Sequence, residues 1–408
     1  MSTIYNIAIY FYQGLIALAA LFKSKAKFWI DGRKDWEQKL EEATKGQDNI
    51  FWFHAASLGE FEQGRPLIEK IKAEQNHVFI LLTFFSPSGY EIRKDYSGAD
   101  YICYLPSDTK KNAKRFIAIT KPKQVFFIKY EFWYNYMKIL KEQNIPLYLV
   151  SGIFRDKHIF FKGYGAWFRK QLQAFTYFYL QDQFSVDKLK SIGYDNALLV
   201  GDTRFDRVIE IAEQVQPINI VEDFVAHKPC LVIGSSWADD EELLAKYINN
   251  NPSYKYILAP HEIDSSHLEA IESLLKEPSQ RFSDFRENSN ADAVVLIIDN
   301  IGMLSSIYQY ADMAYIGGAF KTGLHNILEA AVYGMPVVFG PKYSKFQEAK
   351  DLIEEQAVFS ISSYEELSVV LDTYLSHKTK SKVFAQKAKS FIYKSKGAAN
   401  LIYANVFS

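Results

Sequence analysis

Residues 54–60 of this chain combine small side chains with a carboxylate at the junction of a strand and a helix. The segment His54–Glu60 follows an apolar run and precedes an amphipathic stretch. Small residues allow a tight turn and leave room for a ligand, and the dipole of the helix start favours the ionised form of Glu60, which a general base needs. The spacing Ser57-x-x-Glu60 also fits a capping box, and taken alone it favours that structural interpretation.

A second segment that could bind a ligand begins at Gly234. There an apolar strand ends in Ser235 and Ser236, and a helix with acidic residues at 239–242 follows. Backbone N–H groups and hydroxyls at such a helix start could hold a phosphate. The acids fit stabilisation of the helix N-terminus better than a metal site, because consecutive helical side chains point in different directions. We therefore predict no bound metal.

A third, glycine-rich segment spans 317–323 and precedes a helical run. Asn326 and Glu329 are three residues apart and share one helical face, so the carboxylate could accept hydrogen bonds from two ribose hydroxyls. An N-cap with a packed helix behind it is the alternative, and the spacing alone fits it better. Three further polar segments each follow an apolar strand and would face the same cleft: Lys129–Trp133, Gly201–Arg204 and Asp299–Met303.

The elements that position these segments form two successive α/β patterns. Strand-like apolar runs alternate with amphipathic stretches from residue 50 to 200, and the alternation restarts at 231 after a polar, proline-containing stretch. This pattern predicts parallel sheets with helices on both faces. We expect an N-terminal segment and linker at 1–45, two doubly wound domains at 46–216 and 217–380, and a C-terminal helical stretch at 381–408.

The N-terminal segment differs from the rest of the chain, because Ile4–Phe22 contains no charged residue. A basic flank follows it: Lys23, Lys25, Lys27, Arg33 and Lys34. A run of about 20 apolar residues can cross a bilayer, and a basic flank on its C-terminal side predicts that the following domains are cytoplasmic. Asn6 and Gln13 interrupt the run, so a helix lying in the interface stays open. A buried core helix is the remaining alternative.

Composition excludes several classes of protein. The 408 residues are too many for one core of usual size, and 48% apolar with 23% charged residues is the balance of a folded protein. The formal net charge of −1 provides no global field that would favour nucleic acid. Cys103 and Cys230 lie in strand-like runs and are expected to be reduced and buried.

Taken in order, these segments resemble the 3-deoxy-D-manno-octulosonate (Kdo) transferases of lipopolysaccharide synthesis. The resemblance runs from the N-terminal apolar segment to at least Glu348, and each motif is weak alone whereas the ordered set is specific. The motifs are Ala56–Glu60, Tyr130–Trp133, Gly201–Asp206, His325–Glu329 and Gly340-Pro341.

The resemblance implies the GT-B architecture, in which two Rossmann-like domains face a central cleft and a C-terminal helix returns to the first domain. The first domain would bind the acceptor and the second CMP-Kdo. The reaction would invert the anomeric centre and transfer Kdo to a hydroxyl of the phosphorylated lipid A precursor, without a cofactor or metal. The protein would sit at the cell inner membrane with both catalytic domains on the cytoplasmic side, and nucleic acid is not an expected partner.

The resemblance also implies roles for individual residues. Glu60 would be the base, and Glu131 and Arg204 would stabilise the transition state. The positions that would contact CMP-Kdo are Ser235, Ser236, Pro260, His261, Ile301, Gly302, Met303, Asn326, Ile327, Leu328 and Glu329. Family members often have Pro-Arg where this chain has Pro260-His261. They often have an acid at Met303, and a Ser-Thr-His run where Trp237 ends the segment here. A protonated His261 could partly replace the arginine.

Alternatives from other classes stay open at this point. One is a GT-B enzyme that uses a UDP-sugar, such as a lipid A disaccharide synthase relative or a nucleotide-sugar epimerase. Another is a membrane-attached scaffold without catalysis. The basic and aromatic stretch Lys157–Lys170 has the composition of a docking surface for a phosphorylated glycolipid, although a solvated helix with a packed aromatic face fits equally well. The number of Kdo residues added depends on the acceptor pocket.

Overall fold

The computed structural model describes residues 1–285, 290, 292–321, 323–375 and 378–408, apart from the side chains of 378–381. The chain divides into two compact units. The first comprises Met1–Arg207 together with Gly397–Ser408, and the second comprises Val208–Lys396. Each unit is built on its own parallel sheet.

The first unit contains seven parallel strands in the order β3-β2-β1-β4-β5-β6-β7. They are β1 Ile50–Ala55, β2 Phe79–Phe84, β3 Tyr101–Tyr104, β4 Gln124–Ile128, β5 Leu147–Gly152, β6 Tyr177–Leu180 and β7 Ala197–Leu199. The central strands are apolar on both faces, as a sheet covered by helices requires. Every residue of β1 and β5 is buried.

Ten helices begin in the N-terminal part of the first unit, between Met1 and Arg207. They are α1 Ser2–Ala19, α2 Ser24–Asp31, α3 Trp36–Ala43, α4 Leu58–Glu74, α5 Pro87–Arg93, α6 Lys110–Thr120, α7 Tyr134–Glu142, α8 Ala166–Gln171, α9 Gln183–Lys190 and α10 Arg204–Gln214. Single 3-10 turns occur at Ile159–Phe161, Gly163–Gly165 and Leu172–Ala174.

The second unit repeats the arrangement in the strand order β10-β11-β9-β8-β12-β13-β14. Its strands are β8 Cys230–Ser236, β9 Lys255–Pro260, β10 Ser279–Arg281, β11 Val295–Ile297, β12 Met313–Ile316, β13 Val337–Phe339 and β14 Val358–Ser360. The predicted doubly wound fold is confirmed in both units. Strand β10 was not predicted, because its residues are polar and give no apolar signal.

The helices of the second unit follow the same alternation. They are α11 Asn219–Val225, α12 Ala238–Asn250, α13 Ser265–Leu274, α14 Phe282–Phe285, α15 Leu304–Ile307, α16 Leu328–Ala331, α17 Gln347–Glu354, α18 Tyr364–Tyr374 and α19 Lys378–Lys394. A 3-10 turn follows α15 at Tyr308–Tyr310.

The C-terminal stretch predicted over 381–408 is two helices rather than one. Gly397 adopts a φ of +112°, which glycine tolerates without a steric cost, and it separates α19 from α20, Ala398–Phe407. The Asp206 carboxylate accepts the N–H groups of Gly397 at 2.6 Å and Ala399 at 2.9 Å. Tyr403 and Gln75 are joined by a 2.7 Å hydrogen bond, which holds α20 against α4 within the first unit.

The N-terminal helix α1 lies on the outside of the first unit. Its side chains are exposed or half-buried, so it is not the buried core helix considered above. The Tyr5 hydroxyl donates to Asp108 at 2.6 Å, and Asn135 donates to Asn6 at 2.9 Å, which fixes α1 to the start of α7. In the described parts of the chain, no helix combines the length and the apolar character needed to cross a membrane.

Arg33 does not belong to a solvated basic flank, as the sequence analysis assumed. Its guanidinium donates to the carbonyls of Leu105 and Phe85, both at 2.8 Å, and lies 3.8 Å from the centre of the Trp29 ring. Burial lowers the pKa of Arg33 to about 9. Arg33 therefore anchors α2 to the sheet edge. The exposed basic residues of the flank are Lys23, Lys25, Lys27 and Lys34, of which Lys34 pairs with Asp31 at 2.7 Å.

Candidate active site

The strand order of the first unit reverses between β1 and β4, where ligands bind in doubly wound sheets. The segment 54–60 follows β1 and the segment 129–133 follows β4, so two of the predicted motifs lie side by side at the carboxyl edge. Lys129, directly after β4, has a φ angle of 69°, and Ser151, the penultimate residue of β5, has a φ angle of 54°. Left-handed conformations of non-glycine residues cost about 1–3 kcal/mol and cluster at functional sites.

Glu131 is held in a buried network at this point. Its Oε2 lies 3.1 Å from His54 Nε2 and 2.6 Å from Trp133 Nε1, whose N–H is also 3.0 Å from the same imidazole nitrogen. His54 Nδ1 lies 3.1 Å from the Thr83 carbonyl. Nδ1 also lies 2.9 Å from the Thr83 hydroxyl oxygen. The network fixes the Glu131 carboxylate in one position.

Sequence reasoning did not single out His54, although it is fully buried in β1 and contacts the predicted site residue Glu131. The signal was present in the sequence. A histidine that is buried within an apolar strand needs polar partners for its ring nitrogens. Because His54 lies near the strand end that carries a candidate base, those partners were to be expected among the site residues.

Glu60 lies in the first turn of the 17-residue helix α4 and is half-buried. The Ser57 hydroxyl donates to the Glu60 carboxylate. Within the described residues Ser57 makes no side-chain hydrogen bond to the helix N-terminus, so the capping-box interpretation is wrong. A Cβ built on Gly59 would find its nearest neighbour, Ser57 Oγ, at 3.9 Å. Glu60 therefore stands beside open space at a positive helix end, as a base requires.

The segment around Arg204 is tied to the same helix. Arg204 donates from Nε at 2.8 Å and from Nη2 at 2.6 Å to one oxygen of the buried Asp202 carboxylate. Thr203 donates to the carbonyl of Gln63, which lies one turn after Glu60 on α4. The structure thus brings the motifs of Glu60 and Arg204 to one region of the first unit, with the guanidinium oriented by Asp202.

Tyr130 connects this region to a cation that the sequence analysis missed. Burial raises the pKa of Tyr130. The positive charge of Arg155, which is hydrogen-bonded to Tyr130, lowers that pKa in part, and the nearby Glu60 carboxylate raises it. Lys129 Nζ is 5.5 Å from the centre of the Tyr130 ring. Arg155 and Lys129 give this part of the site cations that could face an anionic ligand.

In the second unit the strand order reverses between β8 and β12. Three rings stack at the carboxyl ends of these strands and β9. The centroids of Trp237 and His261 are 4.5 Å apart, and those of His261 and His325 are 4.6 Å apart. Trp237 Nε1 donates to His325 Nε2 at 2.9 Å. Two of the positions that depart from the family pattern, Trp237 and His261, are therefore in direct contact.

This stacking disfavours the protonated form of His261 that could partly replace an arginine. Packing removes water from His261 and lowers its pKa. Burial, together with the neighbouring His261, lowers the pKa of His325 to about 4. Both rings are neutral near pH 7. Since Trp237 donates to Nε2 of His325, Nδ1 carries the proton of that ring.

The other predicted donor-binding positions fall into two groups. Ser236 is fully buried and its hydroxyl donates to Glu241 at 2.8 Å, so it points into the unit. Ser235 adopts a φ of 53°, and a Cβ on Gly317 would lie 2.3 Å from the Ser235 carbonyl oxygen, so the two backbones approach closely. Asp240 accepts the N–H of Gly318 at 2.8 Å. The buried Asp240 carboxylate therefore holds the glycine-rich loop at Gly318 in place, which is a structural role rather than a metal-binding one.

Asn326 and Glu329 do share one face, and Asn326 Nδ2 donates to Glu329 Oε1 at 2.8 Å. Ile327 and Leu328 are fully buried, so only their backbone atoms could contact a ligand. Several remaining predicted positions lie at strand ends of the second unit: Pro260 ends β9, and Ile301, Gly302 and Met303 follow β11. The Ile301 side chain is 78% exposed.

The paired doubly wound units define the class of protein. Solved structures with the same arrangement include UDP-GlcNAc 2-epimerase from Neisseria meningitidis bound to UDP-GlcNAc, with a TM-score of 0.59 and 13% identity, covering 85% of this chain and 99% of that one. MurG of Acinetobacter baumannii gives a TM-score of 0.52 and 13% identity, covering 88% and 99%. These likenesses show the fold, which is GT-B.

Sequence comparison relates the chain to one family within that class. The sequence model of 3-Deoxy-D-manno-octulosonic-acid transferase (kdotransferase) matches residues 34–207. The 3-deoxy-D-manno-octulosonic acid transferase of Aquifex aeolicus is 29% identical over 84% of this chain and 91% of its own length. The enzyme of that name from Haemophilus influenzae is 26% identical over 76% and 75%. Residues 34–207 thus match the model of this glycosyltransferase family, and the chain is similar to its named members over most of its length.

Proposed function

We propose that this protein transfers Kdo from CMP-Kdo to a hydroxyl of the phosphorylated lipid A precursor, with inversion and without a cofactor or metal. One observation carries the proposal most directly. Glu60, free of a capping role at the start of α4, occupies the same sheet edge as a Glu131 carboxylate fixed by His54 and Trp133. The named relatives support Kdo as the sugar.

In this proposal each group has a separate task. A sugar hydroxyl is a poor nucleophile near neutral pH, and Glu60 accepts its proton as it attacks, which contributes about 10²–10⁴-fold. Glu131, held in place by its buried partners, orients the acceptor and stabilises the charge that develops on the sugar. Arg204, oriented by Asp202, faces the carboxylate of Kdo or the leaving phosphate.

The donor would bind at the β8–β12 reversal of the second unit, where Asn326 positions Glu329. Because both imidazoles there are neutral, the phosphate of CMP would rely on backbone N–H groups and on imidazole N–H donors rather than on a histidine cation.

Asn326→Ala and Glu329→Ala should each raise the Michaelis constant for CMP-Kdo by about 10-fold or more, since a hydrogen bond to a charged group contributes roughly 1.5–3 kcal/mol. CMP should protect the wild-type protein against thermal unfolding, whereas UDP should not. Glu269→Ala, an exposed glutamate on α13, is the matched control. Equal protection by UDP would favour the alternative of a UDP-sugar enzyme, and unchanged donor constants would remove both residues from the site.

Membrane attachment belongs to the same proposal. An apolar stripe on α1 is open to solvent, with Ile7 63%, Phe11 68% and Leu18 60% exposed. The exposed Lys23, Lys25 and Lys27 follow it directly. An apolar helix face beside basic residues binds the interface of an anionic membrane. We propose that α1 lies on the inner membrane surface and that both units are on its cytoplasmic side.

Replacing three stripe residues together, Ile7→Ser, Phe11→Ser and Leu18→Ser, should reduce binding to anionic vesicles by more than about 10-fold, because each buried CH₂ contributes about 0.8 kcal/mol. The cooperative melt should not change, since these side chains are exposed. Vesicle co-sedimentation and thermal unfolding provide the two readouts. The control replaces Leu274, Val369 and Val383, exposed apolar residues of the second unit, with Ser. Unaltered sedimentation of the α1 variant would contradict the proposed surface.

A further inference from the structure

A cavity of about 330 Å³ opens in the first unit beside α1 and beside the loop that carries Glu131. Its walls come from α1, from the segment 130–137 and from the segment 158–171. The lining is mainly aromatic, with Tyr5, Tyr130, Phe132, Phe160, Trp167 and Phe168 as its principal members. Its size falls within the range of small-molecule pockets.

The lining is apolar and uncharged. Burial lowers the pKa of His158, the one imidazole in the wall, so that this ring is neutral near pH 7. The Tyr5 hydroxyl is already bonded to Asp108. A sugar ring or a nucleotide needs several polar partners, whereas this wall offers mostly ring faces and the aliphatic side chains of Met137 and Ile159. The chemistry fits a hydrocarbon chain.

The position of the cavity indicates which molecule the hydrocarbon chain belongs to. In one part of the lining, Tyr130 and Phe132 flank in the chain Glu131, the predicted catalytic carboxylate. In another part, Tyr5 belongs to α1, whose outer face is the exposed apolar stripe. The cavity therefore lies between the surface proposed to rest on the membrane and the site proposed to bind the acceptor sugar. Lys157 and Lys170 are exposed in the segment that forms its wall and suit an anionic headgroup.

We propose that this cavity binds one acyl chain of the glycolipid acceptor while its sugar hydroxyl lies at Glu60. The inference rests on the proposed function for the identity of the acceptor, but the cavity itself predicts only an acylated, anionic amphiphile. Lys157–Lys170 then acts as a docking surface, and its aromatic side chains line the lipid subsite instead of packing only into the core.

The test compares the acylated lipid A precursor with the same molecule after complete deacylation, using the full-length protein. Ile159→Trp adds a ring to a half-buried wall position and should fill the cavity. Val369→Trp makes a similar change at a position that is 66% exposed in the second unit and serves as the control. Ile159→Trp should raise the Michaelis constant for the acylated acceptor by about 10-fold or more, with the constants for CMP-Kdo and the deacylated acceptor unchanged.

Phe168→Gln replaces a ring in the same wall with a smaller, polar amide and should likewise raise the Michaelis constant for the acylated acceptor. This second variant keeps the inference testable if the tryptophan variant does not fold. Equal effects on both acceptors, or no effect on either, would overturn the inference. Equilibrium binding of the acylated glycolipid without a donor separates this result from failure of the proposed function. If wild-type protein transfers no Kdo, loss of that binding in the variants still supports an acyl subsite, and unaltered binding overturns it.

Discussion

Glu60→Gln should give a folded protein with near-normal CMP protection and turnover reduced by about 10²-fold or more. The amide has the size of the carboxylate and can still accept the Ser57 hydroxyl, so the start of α4 should keep its structure. An amide does not accept a proton, so a base at this position is lost. Turnover at saturating donor and acceptor is the measurement, and Glu74→Gln, at the other end of α4, is the matched control.

The two possible outcomes for this variant are clearly separated. Wild-type turnover in Glu60→Gln would falsify the assignment of the base and return the residue to a structural role. If turnover and the cooperative melt were lost together, Glu60→Asp would decide the point, because it keeps the acid and should restore part of the activity only if Glu60 is the base.

Glu131→Gln should lower kcat by about 10²–10³-fold, the usual cost of removing one preorganised electrostatic contact to a transition state. The change keeps the side-chain size, and Trp133 Nε1 can still donate to the amide oxygen, so the network and the melting temperature should be largely preserved. Single-turnover rates measured alongside CMP protection check that the loss occurs in the chemical step. A kcat within about twofold of wild type would contradict a transition-state role.

His54 should act through Glu131 as a positioning residue. His54→Asn removes the contact to Oε2 and should lower kcat less than Glu131→Gln does, with the donor constant unchanged. A double variant should lose little more than Glu131→Gln alone, because the two residues act as a unit. His77→Asn is the control, since His77 is exposed and has a φ of 61°, which asparagine tolerates well.

Much of the fold followed from the sequence because its strands are continuous apolar runs buried on both faces. The pattern failed where that signal is absent. The short edge strand β10 consists of Ser279, Gln280 and Arg281, and the break at Gly397 interrupts a stretch that is helical on both sides. The apolar run at the N-terminus predicted a helix. Its position on the outside of the unit could not be predicted, because it depends on long-range partners such as Asp108.

The site could be predicted in part. Glu60, Glu131 and Arg204 follow strand ends, and the topology brings them to one region. The partners that orient them, His54 and Asp202, are long-range or buried contacts that spacing does not reveal. In the second unit, Trp237 stacks on His261, and this packing lowers the pKa of His261. The protonation state of His261 therefore depends on a residue far away in the chain and could not be predicted from the residue type.

The most direct test of the account is to incubate the full-length protein with CMP-Kdo and the phosphorylated lipid A precursor and to measure the product mass. The account predicts a glycolipid heavier by a whole number of Kdo residues, with release of CMP, and formation of that product by Glu60→Gln at a rate lower by about 10²-fold or more. Absence of that product from a folded, CMP-protected wild-type protein, or transfer from a UDP-sugar instead, would contradict it.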